Sequence, residues 1–166
     1  MPAFFFDTSA IVKRYIVEPG TGWIRALCQA QNESQSQQEP NSIFISEIAI
    51  VEGAAAFALL TRRGIISKQE GAFAYGKFLQ DVENEYRAVR LTPALTRHAA
   101  ELTQRHPLKA YDAMQLAFGM HIKALFQANN LALVFVTADD TLLNAARAEG
   151  MATENPFDHR DLDLAQ

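Results

Sequence analysis

The sequence predicts an α/β fold, a parallel sheet of about five strands with helices on both faces, in three layers. Two observations carry this. Apolar runs of strand length recur along the chain, and helix-length amphipathic segments separate them. Strands joined through helices imply parallel pairing with both sheet faces covered. The bulk properties agree: 166 residues, of which 49% are hydrophobic and 20% charged, suit one domain over residues 1–166 with a substantial core.

The elements follow in order. Residues 3–7 read as a buried strand, with a short helix over about 9–17 and a turn at Pro19-Gly20. Thr21 can cap a helix of about 22–31. Residues 31–42 are rich in Gln, Ser and Asn and contain Pro40, which predicts a mobile surface loop. Ile43-Phe44-Ile45 is a second strand, and Ser46 can cap a helix of about 47–63 that Gly64 ends. Ser67 caps the next helix, about 68–85, and 86–91 is a weaker strand. Thr92-Pro93 opens another helix, which Pro107 breaks before a long helix of about 108–128. Residues 131–137 are the strongest strand signal. A helix over 139–149 ends at Gly150, and a short strand lies near 151–154.

A single cysteine, Cys28, excludes an internal disulfide and a cysteine-based metal site. The apolar start is only strand-length, lacks a basic leader and runs into Asp7, so no secretory signal is expected. No apolar stretch has the length of a membrane span, and the expected compartment is the cytosol. The net charge of -4 gives no global attraction for nucleic acid. A local basic rim remains available from Lys13, Arg14, Arg62, Arg63, Lys68, Lys77, Arg97, Arg105 and Lys109, most of which read equally well as solvated helix faces.

Four acidic residues stand where this fold can gather them. Asp7 ends the first strand, and Asp139 follows the run 133–137. Ligands of parallel sheets bind beyond the carboxyl ends of the strands, which is where both fall. Glu52 lies six residues after Ser46, and so near the same edge. It also shares a predicted helix face with Ile48, Ala55 and Leu59, where a carboxylate interrupts an apolar stripe. The plainer alternative puts Glu52 at the edge of the stripe, reaching water or an arginine. Asp112 sits in a helix that is apolar almost all round, although a first-turn acid stabilised by the helix dipole also accounts for it. Asp7 and Asp139 can each be simple helix caps, and Asp140 competes with Asp139. Thr8, Ser9 and Thr137 can hold the carboxylates in place.

Converging carboxylates repel each other by several kcal/mol at an intermediate dielectric. A divalent cation relieves that repulsion, and an all-oxygen donor set selects Mg²⁺, or Mn²⁺, over softer metals. With no lysine or histidine base evident, such an ion would itself generate the nucleophile, which points to phosphodiester hydrolysis. His98, His106, His121 and His159 show no ligand spacing, and no GxGxxG, Walker A or GxSxG motif is present.

These residues resemble a known family. Phe4-Phe5-Phe6-Asp7-Thr8-Ser9-Ala10, then Ser46 through Glu52, then Tyr111-Asp112-Ala113-Met114-Gln115-Leu116-Ala117, then Phe135-Val136-Thr137-Ala138-Asp139 are similar in order and spacing to the four motifs of PIN-domain proteins. The likeness runs over nearly the whole chain and is strongest to VapC-type toxins of toxin–antitoxin pairs. It implies a Mg²⁺-dependent endoribonuclease, often a homodimer, neutralised by a cognate antitoxin protein, with Asp7, Glu52, Asp112 and Asp139 as its acidic residues. The 31–42 loop makes the chain longer than compact members and is a candidate for substrate or antitoxin contact. Two other readings remain: a PIN-type partner-binding domain without activity, and a haloacid dehalogenase-like phosphohydrolase. The latter needs a second acid two residues after the first, where this chain has Ser9.

Overall fold

The structure is a computed structural model and describes residues 3–29 and 41–165, with no side-chain description at 164 and 165. The expected loop at 31–42 lies outside the described residues apart from its last positions. Five parallel strands form one sheet: β1 (Ala3–Phe6), β2 (Ser42–Ser46), β3 (Arg87–Val89), β4 (Val134–Val136) and β5 (Ala152–Glu154). Their order is β3-β2-β1-β4-β5. The helices are α1 (Thr8–Ile11), α2 (Thr21–Gln29), α3 (Ala49–Arg62), α4 (Lys68–Asn84), α5 (Pro93–Arg105), α6 (Ala110–Gln127) and α7 (Asp140–Ala148).

Alternation within each strand splits the core in two. Phe5, Phe44 and Phe135 face one layer, with Leu116 and Phe118 of α6 and Leu142 of α7. Phe6, Ile43, Ile45 and Val136 face the other, with Ile11, Ile24, Phe57 and Phe78. Strand β1 is covered on both sides and apolar at every position, which is why its sequence shows a run instead of a period of two. Phe5 stacks on Phe135 across the β1–β4 pair, ring centroids 5.4 Å apart and planes 9° apart.

Strand order fixes where a ligand can sit. From β1 the chain moves through β2 to β3 on one side, while β4 and β5 lie on the other. The crevice at the carboxyl ends of β1 and β4 is therefore the switch point of the sheet. The β1–β4 ladder continues one residue beyond the strand, as Asp7 N–H donates to the Val136 carbonyl at 3.0 Å.

Several expected boundaries shift for local reasons. The helix expected over 9–17 is the four-residue α1 followed by a 3-10 turn over Val12–Arg14. The strand expected over 131–137 pairs only at Val134–Val136, after Asn130 turns the chain at φ 56°. Strand β3 is an edge strand exposed at Arg87 and Ala88, hence its weak signal. Ser67 forms a full capping box with Glu70, and Thr92 caps α5 with Pro93 in the first turn.

A second 3-10 segment, Pro156–Ala165, packs on α2 and was not expected from its polar sequence. Asp163 accepts from the Gly20 and Gly22 amides, both at 2.7 Å, and Trp23 stacks on His159. A Cβ at Gly22 would stand 2.5 Å from the Leu162 carbonyl oxygen, so this close approach requires glycine.

Helix α6 comes close to the sheet at Gly119, where an added Cβ would lie 2.5 Å from Phe135 Cδ2. The Phe5 stack leaves that ring little room to retreat. Gly119→Ala should therefore lower stability by about 1–3 kcal/mol despite the better helix propensity of alanine, measured as the shift in urea midpoint. An unchanged midpoint would contradict this packing of α6 on β4.

Candidate functional site

Each acid singled out by the sequence stands at the start of a helix. Asp7 caps α1 and Asp139 caps α7, while Glu52 and Asp112 lie in the first turns of α3 and α6. Helices α1, α3 and α7 follow β1, β2 and β4 directly, so their N-termini open at the carboxyl edge of the sheet. Helix dipoles favour an acid at each position taken singly, and the fold gathers these positions at one edge.

Asp7 is 5% exposed and sits at the switch point. Ser9 Oγ donates to its two carboxylate oxygens at 2.8 and 3.0 Å, Thr137 Oγ1 donates at 3.0 Å, and Ala10 N–H donates at 2.9 Å. The direction of the hydroxyl bonds is set by their other partners. Ser9 Oγ accepts from Ala138 N–H at 2.8 Å and Thr137 Oγ1 from Asp139 N–H at 3.1 Å, so each proton turns toward Asp7. The Asp7 carboxylate thus locks the turn that carries Asp139. Among the described residues no lysine or arginine forms an ion pair with Asp7, and burial pushes its pKa up to about 7 against the lowering effect of these hydrogen bonds.

Glu52 is tied to the same edge from two sides. Its Oε2 accepts from Thr8 Oγ1 at 2.6 Å and from the Gln115 amide. The apolar stripe expected to contain it is corrected: the buried face of α3 is Ala49, Gly53 and Phe57, while Ala55 and Leu59 are exposed. Gly53 hid that face from the sequence, because a glycine reads as no hydrophobe. Here it lets Phe78 of α4 come so close that a Cβ would stand 2.8 Å from its ring. Glu52 lies one position off the buried face and is half-buried.

Asp112 is half-buried, and its pKa is raised by burial first and then by the like charge of Asp139, against Lys109. Asp112 and Asp139 are thus near enough for their like charges to interact. Asp139 Oδ1 accepts from Leu142 N–H at 2.9 Å, the cap bond of α7. Asp140 is engaged elsewhere, accepting from Asn155 Nδ2 at 3.2 Å. As they stand, among the described residues no three histidine, cysteine or acidic side chains come within reach of one metal ion.

The basic rim is smaller than the sequence suggests. Lys13 is 1% exposed, with its ammonium 3.4 Å from Glu18 and 4.2 Å over the Phe157 ring. Arg14 and Lys77 are both drawn to the buried Asp81, and Arg105 pairs with Glu149. Lys109 stays exposed beside Asp112, as do Arg62, Arg63, Lys68 and Arg97. The histidines are structural where they bond: His106 to Glu149 at 2.7 Å and His159 to Glu154 at 2.9 Å.

Gln115 is the site residue that sequence reasoning passed over. It lies one turn beyond Asp112, is 2% exposed, and touches Thr8, Ser46 and Glu52 together. A buried amide inside an otherwise apolar helix was the available signal.

The model of the PIN domain matches residues 4–148, and the chain belongs to the PIN domain family. Two proteins of Mycobacterium tuberculosis, Ribonuclease VapC45 of strain CDC 1551 / Oshkosh and Ribonuclease VapC49 of strain ATCC 25618 / H37Rv, are each 29% identical to it over 150 residues, covering 90% of this chain and 93% of theirs. Among solved structures, FitAcB from Neisseria gonorrhoeae superposes with a TM-score of 0.60 at 17% identity, covering 93% of this chain and 98% of that one. VapC20 of M. tuberculosis, described as a Sarcin-Ricin loop cleaving toxin, superposes with a TM-score of 0.57 at 17% identity, covering 90% and 96%. At such identities the structural likeness concerns the fold. Among the described residues no helix is long and apolar enough to cross a membrane.

The raised pKa of Asp7 has a consequence for stability. The folded protein holds the Asp7 proton more tightly than the unfolded chain does, whose pKa is the ordinary 3.8. Stability from this group is therefore fully present at low pH, falls as pH rises from about 4 to about 7, and levels off above. In metal-free protein, Asp7→Asn should melt higher than wild type at pH 8, by roughly 4 kcal/mol at most, and lose the advantage near pH 4. A variant that melts lower than wild type across this range in thermal scans with EDTA would contradict the uncompensated burial of Asp7.

Proposed function

We propose that this protein is a metal-dependent endoribonuclease that hydrolyses RNA phosphodiester bonds through a metal-activated water, as the toxin of a toxin–antitoxin pair. The observation that carries the reading is that Asp7, Glu52, Asp112 and Asp139 stand at helix starts along one sheet edge, with Asp7 buried and without an ion-pair partner among the described residues. The name "ribonuclease" carried by both Mycobacterium tuberculosis relatives supports RNA as the substrate.

The donor set fits a hard cation, because it consists of carboxylate oxygens alone; Mg²⁺ is the proposed ion and Mn²⁺ its substitute. Asp7, Glu52, Asp112 and Asp139 would hold it. When bound, the ion lowers the pKa of a coordinated water and withdraws charge from the phosphoryl oxygens. The chain supplies placement. Ser9 and Thr137 fix Asp7, Thr8 and Gln115 fix Glu52, and Asp112 and Asp139 stand at the more open side. Lys109 beside Asp112 gives an approaching phosphate a positive contact in a chain whose net charge is -4. A cognate antitoxin protein, a homodimer and a cytoplasmic location complete the proposal.

A partner-binding PIN relative without catalysis has one observation in its favour: among the described residues no three acids reach a common ion as they lie. The nuclease reading has in its favour the carboxylates along one sheet edge and the relatives that carry the name ribonuclease. Calorimetric titration separates the two readings, since the nuclease binds Mn²⁺ and the inactive relative does not.

Purified protein should cut single-stranded RNA with Mg²⁺ or Mn²⁺ and stop on adding EDTA. Asp7→Asn and Asp112→Asn should each slow cutting by at least about 100-fold with cooperative unfolding retained. Expression in a bacterial host should arrest growth for wild type and not for Asp7→Asn. Undiminished cutting by either variant would defeat the assignment.

A further inference from the structure

Gln115 occupies a place that neither packing nor helix propensity requires. It follows Asp112 by one turn of α6 and turns a buried amide into the floor of the acidic crevice. Its Nε2 donates to Thr8 Oγ1 at 3.0 Å and to Glu52 Oε2, and its Oε1 accepts from Ser46 Oγ at 2.9 Å. Both amide protons and the carbonyl are therefore in use, in a place where an unmatched polar group is costly.

The orientation of the amide is set by its neighbours. Ser46 Oγ accepts from Ala49 N–H at 3.2 Å, so its single proton goes to Gln115 Oε1. The nitrogen is left facing Glu52 and Thr8. Thr8 Oγ1, which receives one amide proton, gives its own to Glu52 Oε2. The sense of the whole chain of bonds thus starts at the backbone where β2 passes into α3 and ends on one oxygen of Glu52. Among the described residues the other oxygen, Oε1, accepts no hydrogen bond.

We infer that Gln115 is a positioning residue for the nuclease site: it saturates Oε2 of Glu52 without adding charge and presents Oε1 to the metal ion. The inference rests on the nuclease reading. Gln suits the task chemically. A lysine or arginine in its place would neutralise Glu52 and compete with a cation, and an apolar residue would leave the carboxylate held by Thr8 alone. Its position on α6 also ties the first turn that carries Asp112 to the ends of β1 and β2.

The test compares wild type, Gln115→Leu, Glu52→Gln and the double variant by calorimetric titration with Mn²⁺, with RNA cutting and thermal melting alongside. Gln115→Leu should weaken Mn²⁺ binding roughly 10–100-fold, as loss of an outer-shell partner does. In the Glu52→Gln background the same substitution should change Mn²⁺ affinity less than about twofold, because a residue acting through Glu52 has nothing left to position. Gln115→Met, of similar length and without the amide, carries the same comparison if the leucine variant fails to fold. Wild-type affinity in the Gln115 variants overturns the inference, and so does a loss that persists undiminished without Glu52. Wild type that binds no Mn²⁺ overturns the nuclease reading itself, and the inference with it.

Discussion

The carboxylate of Asp7 is buried at the switch point of the sheet with no ion-pair partner among the described residues, and much of the surrounding structure answers to that constraint. Burial raises its pKa to about 7 even against the lowering effect of its hydrogen bonds. The two hydroxyls that hold it, on Ser9 and Thr137, come from opposite sides of the β1–β4 junction, and each is aimed by a backbone amide of the turn leading to Asp139. The same atoms that make the buried acid tolerable therefore place a second acid. On the other flank, Thr8 and Gln115 do for Glu52 what Ser9 and Thr137 do for Asp7. Hydroxyls and an amide hold the two carboxylates without bringing a positive charge beside them, as the proposed cation site requires.

The fold makes this arrangement possible with little specialised sequence. A parallel sheet sets helix N-termini along its carboxyl edge, and an acid is locally favourable at each of them. Asp7, Glu52, Asp112 and Asp139 thus require no unusual backbone; among the described residues a non-glycine positive φ occurs only at Asn130. The cost appears only when the acids are taken together, as the repulsion between Asp112 and Asp139. Rigidity beneath the edge comes from the stacked Phe5 and Phe135 and from the close seat of α6 at Gly119.

Much of this was legible in the sequence because single residues carried unambiguous local chemistry. The apolar runs at 3–7 and 131–137 read as strands and contain β1 and β4, and Ser67 with Glu70, Thr92 with Pro93, and Gly64 and Gly150 marked helix ends where they occur. Ser9 and Thr137 were readable as supports of a carboxylate. What escaped depends on contacts between distant segments. The buried face of α3 runs through Gly53, whose role is defined by Phe78 on another helix. Lys13 reads as a solvent-facing cation, yet Glu18 and Phe157 enclose it. The 3-10 segment Pro156–Ala165 is polar and aperiodic, and it is ordered by Asp163 reaching amides more than a hundred residues away in sequence. Gln115 stood in view within an apolar helix, but only the meeting of Thr8, Ser46 and Glu52 gives it a task.

The central claim is that these carboxylates share a divalent cation. Crystals grown with Mn²⁺ and measured at a wavelength where manganese scatters anomalously test it directly. The account predicts an anomalous peak in the crevice between β1 and β4, within bonding distance of an Asp7 oxygen and of at least one oxygen from Glu52, Asp112 or Asp139. A saturated crystal whose only peaks lie away from that crevice would contradict it.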